Sequence, residues 1–198
     1  MVQVISIIDD DSAVRDSVFA LLETAGYAVQ AFSSAESFLS DGGMQSDCVI
    51  TDVRMAGMSG LQLLDRLYAQ TPHLPVIVMT GHGDVPLAVH AMRAGAVDFV
   101  EKPFDAQMLL ASVARALDCN RMAQDRATKA KKARDLLGLL TVREQEVLVQ
   151  LAHGQSNKSV ANELSISPRT TEIHRAHIMK KLSARSLADL VRIYLLAA

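Results

Sequence analysis

The feature that most constrains this chain is a series of short, almost uninterrupted apolar runs that alternate with amphipathic stretches across its first half. Val4-Ile5-Ser6-Ile7-Ile8 and Pro75-Val76-Ile77-Val78-Met79 show no inside–outside alternation. A strand apolar on both faces has to be covered on both faces, as in sheets flanked by helices. The full pattern predicts strands at 2–8, 27–32, 47–51, 75–79 and 97–100, with helices near 12–25, 34–40, 59–70, 84–94 and 105–117. Five βα units imply an α/β, doubly wound, five-stranded parallel sheet. Ligands of such sheets sit beyond the carboxyl ends of the strands, at the switch point.

The pattern then changes. Residues 118–138 contain no proline and only Gly138, with many Ala, Lys and Arg, and read as a helical extension or charged linker. Beyond them every signal is helical. Thr141 followed by Glu144 forms a capping box ahead of Val147, Leu148 and Leu151, and Gly154 ends that helix. A second helix is expected at 157–164. A third follows Ser167-Pro168, with Ser as N-cap and Pro at the first helical position, and a fourth follows Ser183 with Leu187, Leu190, Val191 and Leu195 in helical register. The expected organisation is a first domain over 1–117, a linker over 118–138 and an all-α four-helix domain over 139–198.

Charge divides along the same lines. Lys plus Arg count 6 against 14 acids in residues 1–117, 6 against 3 in 118–138 and 8 against 5 in 139–198. An acidic front suits a cation and a basic back suits a polyanion. Cys48 and Cys119, 71 residues apart, fit neither a disulfide scaffold nor a metal knuckle. No apolar run approaches the length needed to cross a bilayer and no signal peptide pattern is present, so a cytoplasmic protein without membrane association is expected.

Asp9, Asp10 and Asp11 follow the first strand and Asp52 ends the third. With strand order 2-1-3-4-5 these ends are neighbours. Clustered carboxylates resist joint ionisation unless a cation neutralises them, and a hard divalent ion with oxygen ligands, Mg²⁺ first, is the natural occupant. The fourth strand ends at Thr80 and the fifth leads to Lys102-Pro103. A single Asp after a strand is usually a helix cap. Acids, a hydroxyl and an ammonium at four successive strand ends are instead the parts of a phosphoryl-transfer site. Asp52 would be the nucleophile, with Thr80 and Lys102 holding phosphoryl oxygens. Gly81-His82-Gly83 is no dinucleotide fingerprint, and His82 and His90 have no partner at ligand spacing.

IIDDDSAVRDS, DVRMAGMSGLQLL and MTGHGDVPLAVHAMRAGAVDFVEKPF resemble a two-component response regulator with a FixJ-type receiver. The resemblance implies that Asp52 accepts a phosphoryl group from the phosphohistidine of a sensor histidine kinase. It implies Mg²⁺ held by Asp10, Asp52 and the backbone carbonyl of Arg54, with Asp9 acting through water. Thr80 and Phe99 match the family's switch pair, Lys102 its phosphate-binding lysine, and the Lys102-Pro103 bond is expected to be cis. Ala56 departs from the pattern, standing where the family usually has proline.

In the basic half, a short helix, a tight turn and a longer helix at 168–182 have helix-turn-helix geometry, the second helix entering the major groove. Ile173, Met179 and Leu182 are expected to continue the core. Lys158, Arg169, Lys180 and Lys181 suit phosphates, and Arg169, Glu172, His174 and Arg175 suit base edges, with Thr170 and Thr171 completing the candidate set. Periodicity alone leaves open a helical packing module whose charges meet water. LTVREQEVL and NKSVANELSISPRTTEIHRAHIMKKL, however, resemble the NarL/LuxR-type helix-turn-helix, whose last helix dimerises, with Thr171 in place of the usual Val. The expected function is a phosphorylation-activated transcriptional regulator, not an enzyme. It would bind double-stranded promoter DNA, form a homodimer on phosphorylation and act with RNA polymerase. An aspartyl-phosphate phosphatase would want a second acid where Arg54 stands. A sigma-like protein-binding tail would want further sigma regions.

Overall fold

The computed structural model describes residues 2–41, 43–81 and 85–197; His82 and Gly83 therefore lie outside the described residues. The chain forms two compact units, Met1–Gln124 and Asp125–Ala198.

In the first unit β1 (Val4–Ile8), β2 (Ala28–Phe32), β3 (Cys48–Asp52), β4 (Val76–Thr80) and β5 (Asp98–Glu101) form one parallel sheet in the expected order β2-β1-β3-β4-β5. The helices are α1 (Ser12–Thr24), α2 (Ala35–Ser40), α3 (Gly60–Gln70), α4 (Val85–Arg93) and α5 (Ala106–Leu137). Alternate strand residues feed two cores. Ile5, Ile7, Cys48, Ile50, Ile77 and Met79 pack with Val18 and Leu22 of α1 and with Leu109 and Val113 of α5. Ile8, Val49, Val76 and Val78 pack on the other face with Phe38 of α2, Leu63, Leu64 and Leu67 of α3, and Ala91 of α4. Each fully buried aliphatic side chain contributes about 1.5–3 kcal/mol, which is why the central strands are apolar throughout. Cys48 is buried, and burial pushes its thiol up to about 12; Cys119, on α5, is exposed, and both are free.

α5 is a single helix from Ala106 to Leu137. No proline or glycine interrupts it before Gly138, and it serves two cores, with Leu109 and Val113 in one and Leu136 and Leu137 in another.

The second unit contains the end of α5 and α6 (Val142–Ala152), α7 (Asn157–Glu163), α8 (Pro168–Lys181) and α9 (Leu187–Ala197) around Leu140, Val147, Leu148, Leu151, Val160, Ile178, Leu182 and Leu190. The Thr141–Glu144 capping box opens α6, and Ser167 caps α8 with Pro168 in its first turn. Gly154, at φ +81°, takes the left-handed conformation that ends α6. One expectation fails. Ile173 is 48% exposed and is not a core residue; Ile178 takes that place, with Met179 packed against the same core. The stripe expected after Ser183 does lie on α9, where Leu190 is fully buried while Leu187 and Leu195 are exposed.

Candidate functional site

The parallel register brings the strand ends together, because Ile8 stands opposite Thr51 and Asp52 opposite Met79. Asp9 and Asp52 are both buried at this edge. The Lys102 ammonium lies 2.6 Å from Asp9 Oδ2 and 2.6 Å from Asp52 Oδ1, and the peptide bond that joins Lys102 to Pro103 is cis, as expected. Burial raises the Asp9 carboxyl above its ordinary value, although hydrogen bonds from Lys102 and the Asp11 amide pull the other way. Burial also opposes the charge on Lys102, but the bonds to Asp52 and Asp9 together outweigh it and raise its pKa.

The three consecutive acids have separate tasks. Asp11 caps α1, accepting from the Ala13 amide at 2.9 Å. Asp10 is exposed, and its Oδ2 accepts from the Ala56 amide at 3.3 Å. Proline at 56 could not make that bond. Asp52 Oδ2 accepts from the Arg54 amide at 2.6 Å.

Among the described residues no group of three or more His, Cys, Asp or Glu side chains forms a ready cage for a metal. The donor chemistry nevertheless fits Mg²⁺, which needs only one or two carboxylates and keeps several waters. Asp9, Asp10 and Asp52 supply hard oxygens at one strand edge, where the charge is at present balanced by Lys102. Thr80 is buried at the end of β4. Its register partner is Glu101 and that of Val78 is Phe99, so Thr80 and Phe99 lie on the same sheet face, Phe99 packed against the core on that side.

Several residues that hold this site were not singled out in the sequence. Arg15 donates to the Asp9 carbonyl at 2.7 Å. Glu36 accepts from the Met58 amide at 2.9 Å, a bond that lowers its pKa and ties down the loop after Asp52. Gly60 opens α3 so close to the end of β3 that a Cβ there would overlap the Asp52 carbonyl oxygen. Its only sequence signal is a glycine directly after the N-cap Ser59.

On α8 the exposed residues Arg169, Glu172, Ile173, Ala176, His177 and Lys180 form one helical stripe. Arg169, Glu172 and Lys180 were expected there; Ile173, Ala176 and His177 were not. Thr170, His174 and Arg175 are half-buried, Arg175 donating to Asn157 Oδ1 at 3.4 Å. Lys158 is exposed on α7. Thr171 must be withdrawn from the candidate contacts: it is 0% exposed, and its hydroxyl turns back to the Ser167 carbonyl at 3.4 Å. Lys181 is engaged internally, 2.7 Å from the buried Glu144 carboxylate.

Comparison with known proteins agrees with both halves. Residues 5–114 match the response regulator receiver domain, and residues 138–194 match bacterial regulatory proteins of the luxR family. The transcriptional regulatory protein FixJ of Azorhizobium caulinodans is 49% identical over 199 residues, which span 98% of this chain and 92% of that protein. Among solved structures, response regulator StyR superposes with a TM-score of 0.83 at 38% identity, covering 98% of this chain and 99% of that one. Full-length FixJ from B. japonicum gives 0.60 at 45% identity, covering 98% and 97%.

Proposed function

Because the chain belongs to the response regulators that join a receiver domain to a luxR-family DNA-binding domain, and is a phosphorylation-activated transcription regulator of that family, we propose that Asp52 is its phosphoacceptor. The observation that carries this is the Lys102 ammonium held against both Asp9 and Asp52 at the sheet's carboxyl edge.

In this reading an Asp52 carboxylate oxygen attacks the phosphorus of a kinase phosphohistidine. The new O–P bond forms as the P–N bond breaks, and the leaving imidazole nitrogen recovers its proton from solvent. Lys102 pairs with a phosphoryl oxygen, and the Thr80 hydroxyl donates to another, with Phe99 following on the same sheet face. Asp9, Asp10, Asp52 and the Arg54 carbonyl would hold Mg²⁺, which when bound supplies positive charge to the phosphoryl oxygens.

The receiver would occupy 1–117, the linker 118–138 and the output domain 139–198. Lys158, Arg169 and Lys180 would meet phosphates, and Arg169, Glu172, His174 and Arg175 would read base edges. Phosphorylation would favour a homodimer that engages RNA polymerase at promoters in the cytoplasm.

The test is analytical ultracentrifugation and promoter binding for wild type and Asp52→Asn, with Mg²⁺, before and after beryllofluoride or a small acyl-phosphate donor. A shift to dimer with tighter DNA binding is expected in wild type alone. An equal response in Asp52→Asn would remove Asp52 from this role.

A further inference from the structure

The most highly charged part of the second unit is not on the helix-turn-helix. Residues 125–137, the end of α5, carry Arg126, Lys129, Lys131, Lys132 and Arg134 against only Asp125 and Asp135. All five cations are exposed. None forms an ion pair among the described residues, although Lys131 and Asp135 stand at i,i+4 spacing. Elsewhere in the unit surface charges do pair, half-buried Arg143 with exposed Glu146 at 2.7 Å and exposed Arg192 with half-buried Asp189 at 2.8 Å.

This stretch is part of the folded unit. Ala133 is buried, and Leu136 and Leu137 pack on the core formed by α6 to α9. Lys129 and Lys132 line a groove whose other walls include Leu182 and Ser183. Those two residues follow α8 directly, and Lys180, the last cation of the exposed α8 stripe, lies only two positions before Leu182. The fold thus sets two unpaired ammoniums beside the end of the helix that meets DNA.

We propose that Lys129 and Lys132 form a second phosphate-binding face, extending the DNA footprint beyond the helix-turn-helix. The inference rests on the reading of the second unit as a DNA-binding domain. The occupant is the DNA backbone because the cations are exposed and unpaired and carry no base-reading carboxamides among them. Lysine acts as a point charge toward phosphate, and such contacts add affinity without sequence preference. The aliphatic lysine stems can lie along the apolar groove floor while their ends stay free.

The test uses the full-length protein, activated with Mg²⁺ and beryllofluoride, and a mixed-sequence DNA duplex of about 30 base pairs, followed by fluorescence anisotropy over a salt series. For Lys129→Gln/Lys132→Gln the slope of log affinity against log salt should become shallower by about 1.8, roughly 0.9 for each lost phosphate contact. Affinity at about 0.1 M salt should fall about tenfold or more, by the same factor for two unrelated duplexes. Lys129→Arg/Lys132→Arg should restore the slope, which a folding defect would not allow. A wild-type slope in the Gln variant would overturn the proposal, as would weaker binding with an unchanged slope. Failure of the wild-type protein to bind any duplex would overturn the DNA-binding reading itself, an outcome distinct from these.

Discussion

The Lys102 ammonium stands 2.6 Å from Asp52 Oδ1 and occupies the position from which a cation neutralises the acidic edge of the sheet. Removing one partner from a buried charge group costs about 3–5 kcal/mol, mostly through the charges left behind. Lys102→Met should therefore lower stability by about 3 kcal/mol without Mg²⁺. Calorimetry should show a larger rise in Tm with added Mg²⁺ for the variant than for wild type, since the metal no longer competes with an ammonium. Equal Mg²⁺ responses would mean that metal and lysine do not share the carboxylates.

Ala56 supplies an N–H that proline lacks, and that N–H donates to Asp10 Oδ2 at 3.3 Å. Ala56→Pro should free the carboxylate and tighten Mg²⁺ binding by about two- to fivefold, the worth of one long, exposed hydrogen bond. Isothermal titration with Mg²⁺ measures it; weaker binding in the variant would show that the Ala56 contact instead holds Asp10 in place for the metal.

At Gly60 a methyl group would meet the carbonyl of Asp52. Gly60→Ala should push α3 away from the end of β3 and cost about 1–3 kcal/mol, as overpacking does. The rate of beryllofluoride-induced dimerisation should fall with it, because the displaced atoms belong to Asp52 itself. Gly26 makes the contrast: a Cβ there meets nothing within 4 Å, but its φ of +91° still favours glycine.

Glu144 gives a pH signature in the second unit. The Lys181 ammonium, then the Thr141 amide, lower its pKa from 4.5 to about 2. A depressed carboxylate contributes stability above its unfolded pKa and loses it as pH falls through the folded one. Thermal melts of wild type and Glu144→Gln should differ most above pH 4.5 and converge as the pH approaches 2. A constant gap across that range would assign the effect to packing.

The sheet and its order were legible because strands covered on both faces leave long apolar runs that little else produces. The grouping of the candidate residues was readable for a related reason: parallel strands deliver Asp9, Asp52, Thr80 and Lys102 to one edge whatever the loops do. α8 was less legible. Its few apolar residues, Ile173, Ile178 and Met179, do not fix a helical phase, so Ile173 was placed inside and Thr171 among the DNA contacts, the reverse of the structure. Lys181 looked like a phosphate ligand because its partner Glu144 lies 37 residues away and is joined to it only by the fold. Gly60 and Arg15 act through backbone carbonyls, which have no sequence signature.

The two cysteines give the chain a natural handle for spectroscopy. The thiolate is the nucleophile that attacks a maleimide; burial pushes the Cys48 thiol up to about 12, which keeps it in the unreactive protonated form, behind a closed core. Cys119 is exposed on α5. A maleimide dye should therefore attach at one position in the unaltered protein, so that a distance or anisotropy signal can follow α5 during activation without an engineered cysteine.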